Sequence, residues 1–367
     1  MQLKHTMMPI CKQSVATPTL AATAVANRRV FFESLELLPP PIRGVVTSNY
    51  RKRVNRARGK PLLGECAPDI LADLLAIKNE KAVQCVIPSW LSLYAYTLFI
   101  DDVLDREAAV EAAPLVLASQ LLLQRGISHF YQSMNPPAHL LIQMDVYFLE
   151  TAIAVMRELK RHKRQVHRFS RSEVRQIGNK VALLKLCAAQ LLLADGQGER
   201  IDDRVMVPVE LLATGMQLLD DITDWEEDWT TGSLSHLLTE TFATLSAMGI
   251  QNAHESDTLN RAEVFAALVV TGSLEEALST ALTYLKEVAL LRGEDNSSFV
   301  KDILNVIIQE NVEFEREVTD VRLQCHEWMI MPQGPGKNWL SLLATHPTLR
   351  RHFSSLEKRL HVVAQSS

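Results

Sequence analysis

Two short clusters of aspartate are the residues of this sequence whose types and spacing could do chemistry. Their members are Asp101, Asp102 and Asp105 in the first cluster, and Asp220, Asp221, Asp224 and Asp228 in the second. Each cluster follows an apolar, helix-patterned stretch, Trp90 to Ile100 and Val209 to Leu219. Carboxylates at the end of a buried apolar helix would lie at the mouth of a cavity that such helices line. This favours a site that holds metal and, through the metal, phosphate.

The spacing within each cluster places the acids on one face of a helix. Residues four apart are neighbours on a helix, so Asp101 and Asp105 point the same way, and Asp220, Asp224 and Asp228 form a ladder. Like charges at this spacing repel one another and raise each other's pKa. A divalent cation removes that cost, and Mg²⁺ prefers carboxylate and phosphate oxygens. Two facing carboxylate helices with Mg²⁺ between them would clamp a diphosphate.

A solvated helix face is the alternative explanation for such acids. One acidic cluster taken alone is better explained in that way. Two clusters of matching form, each at the end of an apolar helix, favour the metal site instead.

Composition limits the remaining classes of function. The chain has 367 residues, 47% of them hydrophobic, and a net charge of -5, which does not indicate a nucleic-acid partner. Its five cysteines form no closely spaced pair, which predicts reduced thiols and a cytoplasmic protein. No uninterrupted apolar run reaches the roughly 18 residues of a membrane span, so we predict no transmembrane segment.

Helical periodicity runs through almost the whole chain, with breaks at clusters of Pro, Gly and Asn. The predicted helices are Arg29–Leu38, Asp69–Ile77, Pro88–Leu104, Pro114–Met134, Ala138–Lys160, Val174–Asp195, Val207–Trp229, Ser233–Met248, Ala262–Val269, Leu274–Leu291, Phe299–Gln324 and Asn338–Val363. Several exceed 18 residues and are apolar on more than one side, which is typical of a large bundle around a central space.

We therefore predict an all-α protein, a large single-domain helical bundle around a central apolar cavity. Residues 1–27, rich in Ala, Thr and Met, are predicted to be a flexible N-terminal extension. The α domain is predicted to span residues 28–367.

The two clusters also resemble known motifs. The first is a DDxxD motif, and residues 215–224 resemble the second aspartate-rich motif of trans-isoprenyl diphosphate synthases, including Gln217. From about residue 30 to 330 the chain resembles the all-α isoprenoid synthase superfamily. The stretch Asp224 to Asp228, followed by Gly232, is similar to bacterial terpene synthases built on that scaffold. The resemblance implies an enzyme that uses three Mg²⁺ ions to ionise an allylic diphosphate.

The resemblance also distinguishes two kinds of enzyme. Chain-elongating members carry Gly-Gly-Lys-x-Arg before the first motif and Arg-Arg-Gly after it, and both bind a second diphosphate. Here one arginine and two acids follow Asp105, and the basic residues near Arg53 and Lys60 match neither pattern. The expectation is therefore a terpene synthase (a cyclase, a carbon–oxygen lyase) acting on a linear prenyl diphosphate, with geranylgeranyl diphosphate the first choice. The alternatives are a chain-elongating prenyltransferase and a silent partner subunit of one.

Further site residues follow from the same resemblance. Asp101 and Asp105 would bind two metals, Asp220, Asp224 and Asp228 the third, and Asp102 and Asp221 would support them by hydrogen bonds. The resemblance assigns diphosphate binding to Lys180, Arg175 and Gln217. The pocket candidates, which core packing explains equally well or better, are Tyr96, Thr97, Phe99, Tyr147 and Phe148. Dimerisation is implied by the resemblance alone.

Overall fold

The structure, a computed structural model, confirms the all-α prediction. It describes residues 18–56, 62–104, 109–161, 168–250, 259–291, 299–329 and 339–364. Within these ranges all regular structure is helical, and the buried apolar residues form one continuous core.

Sixteen α-helices are present among the described residues. In chain order α1–α16 are Pro18–Ser34, Pro40–Arg56, Leu63–Leu74, Glu80–Leu104, Ala109–Met134, Ala138–Arg161, Arg171–Arg175, Leu183–Ala194, Asp203–Thr223, Trp225–Thr231, His236–Ala247, Arg261–Val270, Ser273–Leu291, Phe299–Met329, Trp339–Thr345 and Pro347–Ala364. Short 3₁₀ helices lie at Leu35–Leu37, Ile177–Val181 and Gly198–Arg200.

Two long helices, α4 and α9, form the centre of the bundle and carry the acidic clusters at their C-terminal ends. Helix α4 packs against α5, α3 and α8, and α9 packs against α13, α8 and the 3₁₀ helix Ile177–Val181. Glycine permits the close approach of α9 to α13, because a Cβ atom on Gly215 would lie 2.8 Å from Leu285 Cδ2. Core packing thereby fixes the axes on which the two clusters are held.

Helix α2 is absent from the sequence prediction, which treated Pro39-Pro40-Pro41 as a break only. The helix begins at Pro40, where the missing amide hydrogen costs nothing because first-turn amides have no partner within the helix. Its polar, Arg-rich second half conceals the periodicity. It is nevertheless packed, since Val46 and Tyr50 are fully buried.

The boundary of the predicted N-terminal extension was wrong for residues 18–27. These residues belong to α1, and Leu20, Ala24 and Asn27 are buried against the bundle. Arg28 forms a two-pronged ion pair with the fully buried Glu65 of α3, with Nη2 2.6 Å from Oε2. Residues 1–17 lie outside the described part of the chain, and the rest of the domain division stays a prediction.

Helix α6 lies at the outside of the bundle. Its large apolar side chains exposed to solvent recur every three or four residues: Ile142, Val146, Leu149, Ile153 and Met156.

By length and composition alone, Ala138–Arg157 of α6 and Glu80–Val103 of α4 could each cross a membrane. Two bent helix pairs among the described residues would raise the number of candidate spans to four if each pair counted as one span. The protein itself buries 56% of the α4 segment but only 17% of the α6 segment. The sequence criterion missed both because charged residues interrupt the apolar runs.

Candidate functional site

The first acidic cluster lies in the last turn of α4 and is paired with an arginine of α2. Arg53 Nη2 donates to Asp102 Oδ1 at 2.8 Å and to Asp101 Oδ2 at 3.1 Å. Asp101 is 62% exposed, whereas Asp102 is only 14% exposed. The two leading carboxylates are thus held differently, with Asp101 directed to solvent. Asp105 lies outside the described residues.

The second cluster begins at the C-terminal end of α9. Gln217 Nε2 donates to Asp220 Oδ2 at 2.9 Å and lies 3.5 Å from Asp221 Oδ1. The backbone amide of His236 donates to Asp221 Oδ2 at 3.2 Å, which joins the motif to the start of α11. Asp221 is buried, while Asp220 is exposed. Gln217 therefore orients the aspartate pair in this structure, and its assignment to diphosphate stays a prediction.

The predicted continuous helix Val207–Trp229 is interrupted at Asp224. Asp224 ends α9 with φ −99° and ψ 10°, and α10 begins at the next residue. Backbone bonds still connect the ladder, from the Asp224 amide to Asp220 O and from the Asp228 amide to Asp224 O, both at 2.9 Å. The prediction of one straight helix was therefore wrong, although successive members of the ladder remain one turn apart.

Helix α10 is fixed from outside by Arg261 of α12. Arg261 forms two hydrogen bonds with Glu226, and its Nη1 lies 3.1 Å from Glu357 Oε1 on α16. Its guanidinium also lies over the ring of Trp225, 5.6 Å from the centroid. Glu226 is therefore engaged in an ion pair, and Arg261 ties α10 to α12 and α16.

Carboxylate repulsion is concentrated at the second cluster. Burial, followed by the charges of Asp224 and Asp221, raises the pKa of Asp220 from 3.8 to about 7, against the opposing effect of Lys180. Burial and the charge of Glu227 raise the pKa of Asp224 to about 6. Both side chains are exposed to solvent and yet strongly desolvated. Their side chains reach solvent, but the surrounding protein atoms shield them from much of the water, and this shielding is the main cause of both raised pKa values.

The two clusters are close enough to interact. The charge of Asp101 is among the causes that raise the pKa of Asp224, and the charge of Asp220 is among those that raise the pKa of Tyr94 on α4. The C-terminal ends of α4 and α9 therefore lie within electrostatic range of each other, and their joint action on one ligand stays a prediction.

The donor set suits a hard divalent cation. Oxygen ligands and an excess of negative charge are the properties that Mg²⁺ sites require. Among the described residues, no three Asp, Glu, His or Cys side chains are gathered tightly enough to hold an ion as they stand. A shared oxygen ligand such as a diphosphate would have to complete the coordination, and Mg²⁺ stays a prediction.

The basic residues proposed for the diphosphate are placed differently from one another. Lys180 Nζ, in the 3₁₀ helix Ile177–Val181, lies 3.9 Å from Asp221 Oδ1 at the second cluster. Arg175 is exposed, and its backbone carbonyl accepts a hydrogen bond from Thr214 Oγ1. Burial raises the pKa of Tyr284 on α13, and the charge of Arg175 partly opposes this rise. Lys180 thus lies beside the candidate site, and Arg175 interacts with α13.

The predicted pocket residues are dispersed. Tyr96 and Thr97 are half-buried on α4, and Thr97 Oγ1 donates to the carbonyl of Tyr94. Phe99 is fully buried in the core, which favours its packing role. On α6, Tyr147 has Lys185 Nζ 5.2 Å from its ring centroid, and Phe148 packs at the edge of the core. Their roles as pocket walls stay predictions.

A cavity of about 210 Å³ lies beside the second cluster. Its polar lining includes Lys180, Asp221 and His236, and its apolar lining includes Ile153, Phe169 and Leu234. Charged and apolar surfaces therefore meet beside the second motif, as a ligand with a charged head and an apolar tail requires.

Sequence reasoning missed Arg53 and His236 as parts of this region. Arg53 lies 48 positions before Asp101 in a helix that was not predicted, and His236 contributes a backbone amide. The sequence signal for Arg53 is the basic run around it, because a basic side chain can pair with the acids of the first motif as well as with a second diphosphate.

Two solved structures are similar to this chain over most of its length. One is a geranylgeranyl pyrophosphate synthetase from the archaeon Geoglobus acetivorans, with TM-score 0.62 and 16% identity over 80% of this chain and 99% of the other. Another is a geranylgeranyl pyrophosphate synthase from Lactobacillus brevis ATCC 367, with TM-score 0.62 and 14% identity over 82% and 97%. No family model and no curated protein matches the sequence.

These similarities define the class of fold. The chain is a helical bundle in which two central helices, α4 and α9, end in acidic clusters. More particularly, it has the all-α isoprenoid synthase fold.

Proposed function

We propose that this protein is an enzyme that ionises an allylic prenyl diphosphate with the help of divalent cations. The observation that carries the proposal is the placement of surplus carboxylates at the ends of α4 and α9, where their mutual repulsion adds to the larger effect of burial on the pKa values of Asp220 and Asp224. Such repulsion is a cost to the fold unless a cation offsets it.

Side chains of the two clusters, together with Lys180 and Gln217, would bind and position the cations and the diphosphate. Asp101 and Asp105 on one side, and Asp220, Asp224 and Asp228 on the other, would hold Mg²⁺. Bound Mg²⁺ neutralises charge that develops on a departing diphosphate. Lys180 would add positive charge at the same end, and Gln217 would keep Asp220 oriented. Apolar walls below the clusters would exclude water from the prenyl chain.

Two fates of the resulting carbocation are supported by different observations. Both similar structures are named as geranylgeranyl pyrophosphate synthases, so chain elongation fits at least as well as the cyclisation expected from the sequence. Residues 106–112, which follow the first motif, offer one arginine and two acids, a poor counter-charge for a second diphosphate. Arg53 is moreover engaged by Asp101 and Asp102. Our proposal is therefore the shared ionisation step, and elongation and cyclisation are tested directly.

The test is incubation with Mg²⁺ and geranyl, farnesyl or geranylgeranyl diphosphate, with and without isopentenyl diphosphate. Lengthened diphosphates would establish a prenyltransferase, and volatile hydrocarbons or alcohols formed without isopentenyl diphosphate would establish a cyclase. Absence of turnover with every substrate, together with tight binding to a prenyl synthase, would instead support the silent partner subunit.

Removal of one carboxylate from each cluster tests the site itself. Asp101→Asn and Asp220→Asn should each lower turnover at least about 100-fold, because metal-mediated charge neutralisation is lost. Asp145→Asn, an exposed acid on α6, is the matched control and should retain activity. Circular dichroism should show unchanged helicity in all three. Activity that survives both cluster substitutions would contradict the proposed site.

A further inference from the structure

Arg53 is the basic side chain through which α2 contacts the first acidic cluster. Its Nη2, which carries two hydrogens, lies within hydrogen-bond distance of three acceptors: the carbonyl of Leu98 at 2.9 Å and the carboxylates of Asp101 and Asp102. These three acceptors lie within about one turn at the C-terminal end of α4. One guanidinium therefore fixes both the backbone and the two leading carboxylates of the motif.

The two carboxylates do not share Arg53 equally. Asp102 is closer to Nη2 and mostly shielded from solvent, and Asp101 is farther and mostly exposed. A shielded charge pair is screened less by water than an exposed one, so the bond to Asp102 is the stronger. Asp101 can leave Arg53 at small cost, whereas Asp102 cannot.

We propose that Arg53 is a positioning residue for the first acidic motif: it retains Asp102 and thereby leaves Asp101, the more exposed of the two leading carboxylates, for the cation. This inference rests on the proposed function and adds a named residue to its site. Arg53 acts through the two aspartates and is not assigned a contact with substrate. Partners that orient metal ligands in this way typically contribute a factor of about 10–100 to metal affinity or activity.

The location of Arg53 supports this role over simple surface pairing. Its side chain is only 22% exposed, and its Nε is buried with no hydrogen-bond partner among the described residues. An exposed ion pair contributes little and would not justify that burial. Burial lowers the pKa of Arg53, but Asp102 and Asp101 raise it by more, so the guanidinium stays charged.

The test is a titration of the protein with Mn²⁺ in the presence of inorganic pyrophosphate, followed by electron paramagnetic resonance. Arg53→Gln should weaken Mn²⁺ binding about tenfold, and Arg53→Lys should recover part of the loss, because a charge remains but the fork geometry does not. Lys52→Gln removes the same charge from an exposed position of α2 and should leave the affinity within about twofold of the wild type.

A second variant protects the experiment against misfolding. Asp102→Asn leaves Arg53 in place and removes the carboxylate charge with which Arg53 pairs. Like Arg53→Gln, it should weaken Mn²⁺ binding. The double variant with Arg53→Gln should then be no weaker than the worse single variant, since both act through one pair.

Different results would overturn the two proposals separately. If Arg53→Gln binds Mn²⁺ as the wild type does, or more tightly, the positioning role is wrong while the metal site stands. If the wild type binds no Mn²⁺ with pyrophosphate, the proposed function fails and the role of Arg53 fails with it.

Discussion

At the scale of single residues, Asp224 and Asp220 both make the stability of the metal-free protein depend on pH, and the larger shift is that of Asp220. Its folded-state pKa of about 7 exceeds the ordinary value of 3.8, so the folded protein binds this proton more tightly than the unfolded chain. The stabilising effect of the proton is complete below the ordinary pKa and is lost as the pH rises through about 7. A bound cation would replace the proton and remove the loss.

We therefore expect Asp220→Asn to be stabilised relative to the wild type as the pH rises from 4 to 8 in the presence of a chelator. The measurement is thermal unfolding of both proteins at several pH values about one unit apart. Addition of Mg²⁺ and pyrophosphate at pH 8 should reduce the difference by stabilising the wild type. Melting curves that stay parallel over the whole range would contradict the assignment of the raised pKa to Asp220.

At the scale of elements, the contact between α9 and α13 depends on a residue without a side chain. A Cβ atom on Gly215 would lie 2.8 Å from Leu285 Cδ2 and 3.3 Å from the carbonyl oxygen of Ala281. The carbonyl cannot turn away without breaking α13, so α9 would have to shift. Since α9 carries the second motif, such a shift would also disturb the site.

Gly215→Ala should accordingly lower the free energy of unfolding by about 1–3 kcal/mol, the usual cost of overpacking. Gly44 in α2 provides the matched control, because its added Cβ would meet nothing within 4 Å. Gly44→Ala should raise stability by about 0.5–1 kcal/mol through helix propensity alone. Urea unfolding measures both, and equal effects of the two substitutions would contradict the packing argument.

The same elements show how far the sequence could predict the site. Apolar periodicity was sufficient for α4 and α9, because buried helices repeat their pattern on several faces, and the acids could be placed at their ends. It failed for α2, whose polar half is held by Tyr50 and Arg53 through contacts distant in sequence. Apolar periodicity also failed to predict the break at Asp224, because no glycine or proline there marks the end of α9. Long-range ion pairs and local breaks of this kind depend on tertiary contacts that no window of sequence contains.

At the scale of the whole molecule, the apolar stripe of α6 bears on the predicted homodimer. The stripe is symmetric about Leu149, since Val146 and Ile153, and likewise Ile142 and Met156, lie at nearly equal distances from it along the helix. Two copies of α6 packed antiparallel across a two-fold axis would therefore bring apolar residues against apolar residues throughout. We expect a homodimer through this face.

Leu149→Asp should convert the dimer to monomers, because two carboxylates would then meet at the axis without compensation. Leu290→Asp changes an exposed leucine of α13 in the same way and should leave the dimer intact. Sedimentation velocity distinguishes the two species. A wild-type protein that sediments as a monomer at micromolar concentration would contradict this prediction.

The pairing of Arg28 with Glu65 has a practical consequence for work with shortened forms of the protein. A chain trimmed to begin after Ser34 would keep the interior carboxylate and lose its guanidinium, a defect that typically costs about 3–5 kcal/mol. That loss is comparable to the whole margin of stability of many domains. Affinity tags and protease sites intended for crystallisation therefore belong ahead of Pro18, and a synthetic peptide of residues 18–34 should rescue a truncated preparation when added in trans.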